Sequence, residues 1–356
     1  MRLPEDLDAL IHRIAAVDTE AGDAARARAG ALATPPGALG HIQELGIRLA
    51  RIAGACPPPP INQPCVLIAV ADHGVHAQAV SPWPQEVTAS MVRTFLAGTA
   101  TANVFAQTVG ATVRVLDVGV ATDLEDHPAL LRARVRPGTR DLSQEPAMTA
   151  PECAAAIQAG VDATRDMVDD GGDLLVTGDM GIANTTAAAA LIAAFTGHDA
   201  GRVTGRGTGI DDDALRRKVA AVSAAVARHR DDAPLAVLAG VGGLEHAALL
   251  GAVVAAASRR LPILLDGVNA CAAALAAVAL VPEVQGYLIA GHRSGEPGAG
   301  VALDHLGLEP LLDLRLRLGE ATGALLAVPI VRAAAAALHD IATLDEVLGE
   351  CPQASR

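Results

Sequence analysis

One unit recurs along this 356-residue chain: a short, unbroken apolar run that stops abruptly in glycine mixed with polar residues. Three such runs are Val66–Ala71 before Asp72-His73-Gly74, Val113–Leu116 before Asp117-Val118-Gly119, and Leu174–Thr177 before Gly178-Asp179-Met180-Gly181. Three more follow: Leu235–Ala239 before Gly240-Val241-Gly242-Gly243, Ile263–Leu265 before Asp266-Gly267, and Tyr287–Ala290 before Gly291-His292-Arg293-Ser294. Each loop leads into an Ala-rich stretch long enough for a helix. Short apolar strands alternating with helices predict an α/β fold: a mostly parallel, Rossmann-like sheet with helices on both faces. Ligands of such sheets bind beyond the carboxyl ends of the strands, which is where these polar loops fall.

Hydrophobic residues make up 51% of the chain but aromatics only 1%, so the core must be built from close-packed Ala, Val, Leu and Ile. A net charge of −13 argues against a nucleic-acid partner, which requires a basic face. The cysteines (Cys56, Cys65, Cys153, Cys271, Cys351) are scattered, with no C-x-x-C pair, so neither a disulfide framework nor a zinc site is expected. Glu5, Asp6 and Asp8 close behind Arg2 do not have the order of a signal peptide. No run reaches the ~20 consecutive apolar residues of a membrane span without glycine or charge intervening. The expectation is a cytoplasmic protein with no membrane partner.

Residues 4–53 carry apolar positions at helical spacing (Leu7, Ile11, Ile14), divided by Pro35-Pro36-Gly37. The stretch 56–64, with four consecutive prolines, reads as a stiff connector. After Pro297-Gly298 a leucine-rich segment leads into a long helix over about 320–340. The ends, 1–55 and 305–356, are expected to form a small helical domain beside a large α/β domain over 60–304.

Several loops carry candidate chemistry. Segment 178–186 follows a strand and opens a helix, a place where backbone amides and the helix dipole favour an anion and where Asn184, Thr185 and Thr186 are first-turn donors. An N-capped helix after a tight turn is the plainer reading. Gly205-Arg206-Gly207-Thr208-Gly209 lacks the Gly-Lys-Ser/Thr ending of a P-loop, so NTP hydrolysis is not expected. Asp211-Asp212-Asp213 suits either a divalent cation or a helix start, and Lys218 either a phosphate or solvent. Gly240-Val241-Gly242-Gly243 with Glu245 fails the G-x-G-x-x-G spacing of a dinucleotide loop, which weakens an NAD-dependent oxidoreductase reading. Glu320 stands among apolar neighbours at the mouth of the last long helix. Its surroundings suit a general base of raised pKa, and its position equally suits an ordinary first-turn carboxylate.

Taken together, Ala71–Val75, Pro84–Thr88, Val115–Val120, Gly178–Thr186, Gly205–Asp212, Leu265–Gly267, His292–Ser294 with Glu296–Gly298, and His305 through Gly323 resemble the nicotinate-nucleotide–dimethylbenzimidazole phosphoribosyltransferase family of cobalamin assembly. The resemblance runs in family order over nearly all of 35–345. It implies transfer of phosphoribose from nicotinate mononucleotide to a benzimidazole-type base, with Glu320 as the general base. It also implies nucleotide contacts from Asp179, Gly181, Asn184, Gly207, Thr208, Gly209, Lys218 and Ser294. Trp83, Met91 and Leu318 are the candidate contacts to the base. The leaving pyridinium carries its own positive charge, so no metal and no cofactor are expected, and the family precedent implies a homodimer. A non-catalytic binding homologue is the second reading. The chain departs from the family pattern at Asp179 (usually Glu), Ala183 (usually Gly), 268–270 (usually containing Phe), Gly291, Gly295 and Ala299. These departures bear on which base is accepted.

Overall fold

The computed structural model of the protein describes residues 5–229 and 232–349; Arg2 and Cys351 lie outside them. The chain opens with helices α1 (Glu5–Ile11), α2 (Thr19–Ala31) and α3 (His41–Ala53), and the proline connector then delivers β1 (Pro64–Ala71). Next come α4 (Val87–Leu96), α5 (Thr101–Thr108), β2 (Thr112–Gly119), β3 (Leu130–Arg132), α6 (Ala150–Asp169) and β4 (Leu174–Met180). A run of helices follows: α7 (Asn184–Thr196), α8 (Ala200–Val203), α9 (Asp212–His229), α10 (Pro234–Val241) and α11 (Leu244–Ser258). The chain closes with β5 (Ile263–Leu265), α12 (Val268–Leu280), β6 (Leu288–Ala290), α13 (Pro297–Leu306), α14 (Thr322–Asp340) and α15 (Leu344–Gly349).

All six strands are parallel, in the order β3-β2-β1-β4-β5-β6. The chain winds outward from β1 to β3, returns to β4 beside β1, and then winds the other way. Winding therefore reverses between β1 and β4, the switch point at which a doubly wound sheet opens a crevice. Side chains alternate across the sheet. Cys65, Leu67, Ala69 and Ala71 of β1 enter one apolar layer and Val66, Ile68 and Val70 the other. Both faces are covered, which is why the strands read as continuous apolar runs.

Two expectations need correction. Leu235–Ala239 is not a strand but the body of α10. Pro234 at the first helical position, where its missing N–H is no loss, is the local signal for a helix, and a five-residue apolar run does not by itself separate the two. The edge strand β3 is an addition to the expected set; three residues are too few to show a period.

The first layer holds α6 against α11. Glycines make that approach possible: a Cβ on Gly160 would collide with the Ala248 carbonyl, and one on Gly251 with that of Ile157. The second layer sets α14 against α3 and the sheet, and Leu45 and Leu49 of α3 share it with Leu325, Val328 and Val331 of α14. The chain ends meet there too. Ala25, Ala29, Ile47, Ala50 and Leu338 form a small cluster, Ala33 N–H donates to Ala342 O at 2.8 Å, and Arg28 donates to the carbonyls of Leu338 and His339. Helix α1 stands apart from them, its Leu7 and Leu10 packed into the first layer. Among the described residues α14 alone has the length and mean hydropathy (1.5) of a membrane-crossing helix; 61% of it is buried inside the protein. Arg332 along it donates to Ile61 O and Asn62 O.

Candidate active site

At the carboxyl ends of β4, β5 and β6 lies an open cleft. Seven of the predicted nucleotide residues (Asp179, Gly181, Asn184, Gly207, Thr208, Lys218, Ser294) line it, together with Leu318. Strand alternation decides which carboxylate goes where. Asp179 projects from β4 toward α11 and α12, whereas Asp266, just past β5, turns the other way and accepts N–H bonds from Gly323 (2.9 Å) and Ala324 (3.0 Å). Asp266 thus caps the N-terminus of α14 and fixes the segment before it.

That segment carries Glu320. Gly319, Glu320 and Ala321 all have left-handed backbone, with φ of 84°, 62° and 67°. Two consecutive non-glycine residues there store strain of about 1–3 kcal/mol each. The turn leaves Glu320 5% exposed with Oε2 lacking any hydrogen-bond partner. Burial, and then the negative charge of Asp266, push its carboxyl up to about 7. A proton-accepting group poised near neutrality suits a general base. Asp179 is raised to about 7 as well, by burial first and by Asp266 second, with His246 opposing.

The cleft also carries cations. Lys218 is 1% exposed, so the solvated alternative is excluded. Its ammonium donates to Thr185 Oγ1 (2.8 Å) and Gly205 O (3.0 Å), leaving one of three N–H groups for a ligand. Burial lowers its pKa to about 8, against the opposing pull of Glu296. Arg317 reaches across to Gly207 O at 3.0 Å, and Arg206 completes this wall. The loop's own amides are less free than its glycines suggest: Gly207 N–H donates to Glu296 Oε1 (2.9 Å) and Gly209 N–H to Arg206 O (2.9 Å). Gly209 lines a neighbouring hollow rather than the cleft itself.

Two predicted base contacts lie outside the cleft lining. Met91 packs from α4 against the second apolar layer, and Trp83 stands 51% exposed just beyond Val80 and Ser81, which do line the cleft. Leu318 is in place, 54% exposed at the mouth. The triple aspartate is a helix start: Asp211 Oδ1 accepts from Ala214 N–H at 2.8 Å, while Asp212 and Asp213 pair with Arg206 and Arg216. Among the described residues no group of three or more His, Cys, Asp or Glu side chains is placed to hold a metal. Gly240–Gly243 closes a helix rather than following a strand, so the strand–turn–helix context of a dinucleotide loop is missing. Sequence reasoning overlooks Asn269, Glu296, Arg206 and Arg317 as cleft residues. Glu296 and Asn269 stand inside stretches singled out above, but nothing in their spacing sets them apart.

A doubly wound sheet whose cleft brings cations (Lys218, Arg206, Arg317) and carboxylates (Asp179, Glu296) together beyond the strand ends defines a nucleotide-handling α/β protein. The chain belongs to the phosphoribosyltransferase family DBI_PRT, whose profile matches residues 14–347. It is 54% identical over 330 residues to a nicotinate-nucleotide–dimethylbenzimidazole phosphoribosyltransferase of Salinispora tropica, covering 88% of this chain and 91% of that one. It is 50% identical to the Chloroflexus aurantiacus protein of the same name, covering 94% and 96%. The crystal structure of the Thermus thermophilus protein of that name superposes with a TM-score of 0.89 at 48% identity, covering 93% of this chain and 98% of that one.

Proposed function

We propose that this protein transfers the phosphoribosyl group of nicotinate mononucleotide to dimethylbenzimidazole or a related base. The products are α-ribazole phosphate, the precursor of the lower nucleotide loop of cobalamin, and nicotinate. The names of the relatives support the reaction, and the observation that carries the mechanism is Glu320: a buried carboxyl near pKa 7 with Oε2 unpartnered, next in the chain to Leu318 and Gly319, which line the cleft. In the reaction a ring nitrogen of the base bonds to the anomeric carbon as the bond to the pyridinium nitrogen breaks, its electron pair staying with nicotinate. Glu320 takes the N–H proton of the incoming base. Such assistance is worth ~10²–10⁴ in rate, roughly 3–5 kcal/mol of barrier. Lys218, Arg317 and Arg206 would take the phosphate, with Ser294, Gly181, Gly207, Thr208 and Asn184 around the sugar. Holding two planar rings about one carbon is chiefly an entropic contribution. Leu318 and the adjoining apolar rim offer the base its slot.

A non-catalytic homologue would have no use for a strained turn that presents a bare carboxyl. We further read the protein as a cytoplasmic homodimer, the dimer resting on family resemblance; light scattering during size-exclusion chromatography tests it. Purified protein mixed with nicotinate mononucleotide and dimethylbenzimidazole should yield both products by mass spectrometry. Binding without turnover would favour the non-catalytic reading.

A further inference from the structure

Asp179 is the most enclosed acidic group in the cleft, and its two oxygens are treated differently. Oδ2 accepts an N–H from Asn184 Nδ2 (2.8 Å) and another from Asn269 Nδ2 (2.7 Å). Oδ1 is buried and has no partner. A buried carboxylate oxygen left bare is unfavourable by about 1–3 kcal/mol or more unless a donor arrives. Since Asp179 lines the cleft, the donor that fits is a hydroxyl of the bound sugar.

Asn269 is itself held. An amide has a donor end and an acceptor end, and the wrong end toward Asp179 would set oxygen against oxygen. What selects the end is His246, whose Nε2 lies 3.3 Å from Asn269 Oδ1. Gly243 N–H points at His246 Nδ1 (3.1 Å), which puts the proton of a neutral ring on Nε2. In the charged ring Nε2 carries a proton as well. Either way a donor faces Asn269 Oδ1, and Nδ2 is left facing Asp179. Behind His246 stands Glu245, fully buried, its Oε1 2.9 Å from both His246 Nδ1 and His73 Nε2. Burial alone would raise Glu245, but the two imidazoles hold it below the ordinary carboxylate range. Burial likewise opposes charge on His246, and Glu245 overrides it to raise the imidazole. This buried chain from Glu245 through His246 to Asn269 and Asp179 opens on the cleft only at its last two members.

We propose that Asn269, oriented by His246, is a positioning residue for the transfer: it fixes Asp179 so that the free carboxyl oxygen meets a sugar hydroxyl of the bound nucleotide. This rests on the phosphoribosyl-transfer reading of the cleft. Displacing a group that aligns a substrate by ~1 Å costs about a hundredfold, so Asn269→Ala should lower kcat/KM for nicotinate mononucleotide roughly tenfold to a hundredfold. His246→Leu should reproduce most of that loss. His246→Gln, whose amide N–H can stand where Nε2–H stood, should recover to within a few-fold of the wild type. Combined with Asn269→Ala, His246→Leu should add little, because both changes break one chain. An Asn269→Ala enzyme within threefold of wild type overturns the proposal, as does full additivity in the double variant.

A second measurement does not depend on turnover or on the leucine variant folding. Carboxyl 13C titration of the full-length protein, with Asp179 assigned through Asp179→Asn, should show that carboxyl moving to higher pKa in Asn269→Ala, since a donor to the charged form is lost. The other groups bearing on Asp179, namely Asp266, His246, Glu245 and Asn184, are unchanged in that variant. An unmoved titration overturns the proposal. A wild-type protein that fails to transfer phosphoribose sinks the function while the titration still decides whether Asn269 holds Asp179.

Discussion

Replacing Glu320 with glutamine should slow the enzyme and stabilise it in one step. The carboxyl is 5% exposed, carries an unpartnered oxygen and is raised from 4.5 to about 7, by burial first and by Asp266 second. A difference of one in pKa between the folded and unfolded chain is worth about 1.36 kcal/mol, so holding the ionised form in the fold costs about 3 kcal/mol. Because the folded pKa is the higher one, the native state binds more protons between pH 4.5 and 7. The stability of the protonated form is fully present below 4.5 and is lost as pH rises through 7. A neutral glutamine never meets that penalty. With an unfolding entropy of about 2.1 cal/mol/K per residue, 3 kcal/mol over 356 residues shifts Tm by roughly 4 °C. Calorimetric melts of Glu320→Gln should therefore run about 4 °C above wild type at pH 8 and coincide with it near pH 4.5. Single-turnover transfer at pH 8 should fall ~10²–10⁴-fold while nucleotide affinity holds. In the wild type the rate should climb about tenfold per pH unit toward pH 7. The variant should keep only the limb that belongs to Asp179, which titrates in the same range. A variant within threefold of the wild-type rate, or one no more stable than wild type at pH 8, would refute the reasoning.

Nicotinate mononucleotide should bind equally well with and without a chelator, and Lys218→Met should weaken it at least tenfold; calorimetry reads both, and chelator-sensitive binding would restore a metal to Asp211–Asp213. In the wild type kcat/KM should fall again above about pH 8 as Lys218 loses its proton, and pH profiles of Lys218→Met should lack that limb. Benzimidazole should compete with dimethylbenzimidazole, since an apolar slot discriminates a methyl group by only ~1–3 kcal/mol; a preference beyond about a thousandfold in paired-base competition would contradict this. Gly160→Ala should destabilise by about 1–3 kcal/mol or more, because its methyl meets the Ala248 carbonyl; urea melts check it, and an unchanged midpoint would count against the close α6–α11 contact.

The sheet is legible in the sequence because both its faces are covered: period-2 burial of β1 leaves every residue apolar, and such runs announce themselves. Leu235–Ala239 shows where that signal fails, since α10 is also buried all round and composition alone cannot choose between the two. The nucleotide residues are legible as glycine-rich interruptions. Their partners are not, because Lys218 meeting Thr185, or Gly207 meeting Glu296, depends on elements dozens of residues apart. Glu245 stands in plain view beside a glycine cluster, yet its role comes from His73 and, through His246, from Asn269, which only the fold brings near. Asp179 and Asn269 read as separate oddities in the sequence; in the structure they share a hydrogen bond. Trp83 and Met91 draw attention by type, and type says nothing about direction.

If the base displaces nicotinate directly at the anomeric carbon, it attacks from the face opposite the departing ring and inverts that carbon. Following the reaction of β-configured nicotinate mononucleotide with dimethylbenzimidazole by 1H NMR tests this most directly. Direct transfer predicts that nicotinate and an α-configured riboside phosphate accumulate one for one, with no free ribose phosphate. A β-configured product, or nicotinate released as readily without the base as with it, would contradict it.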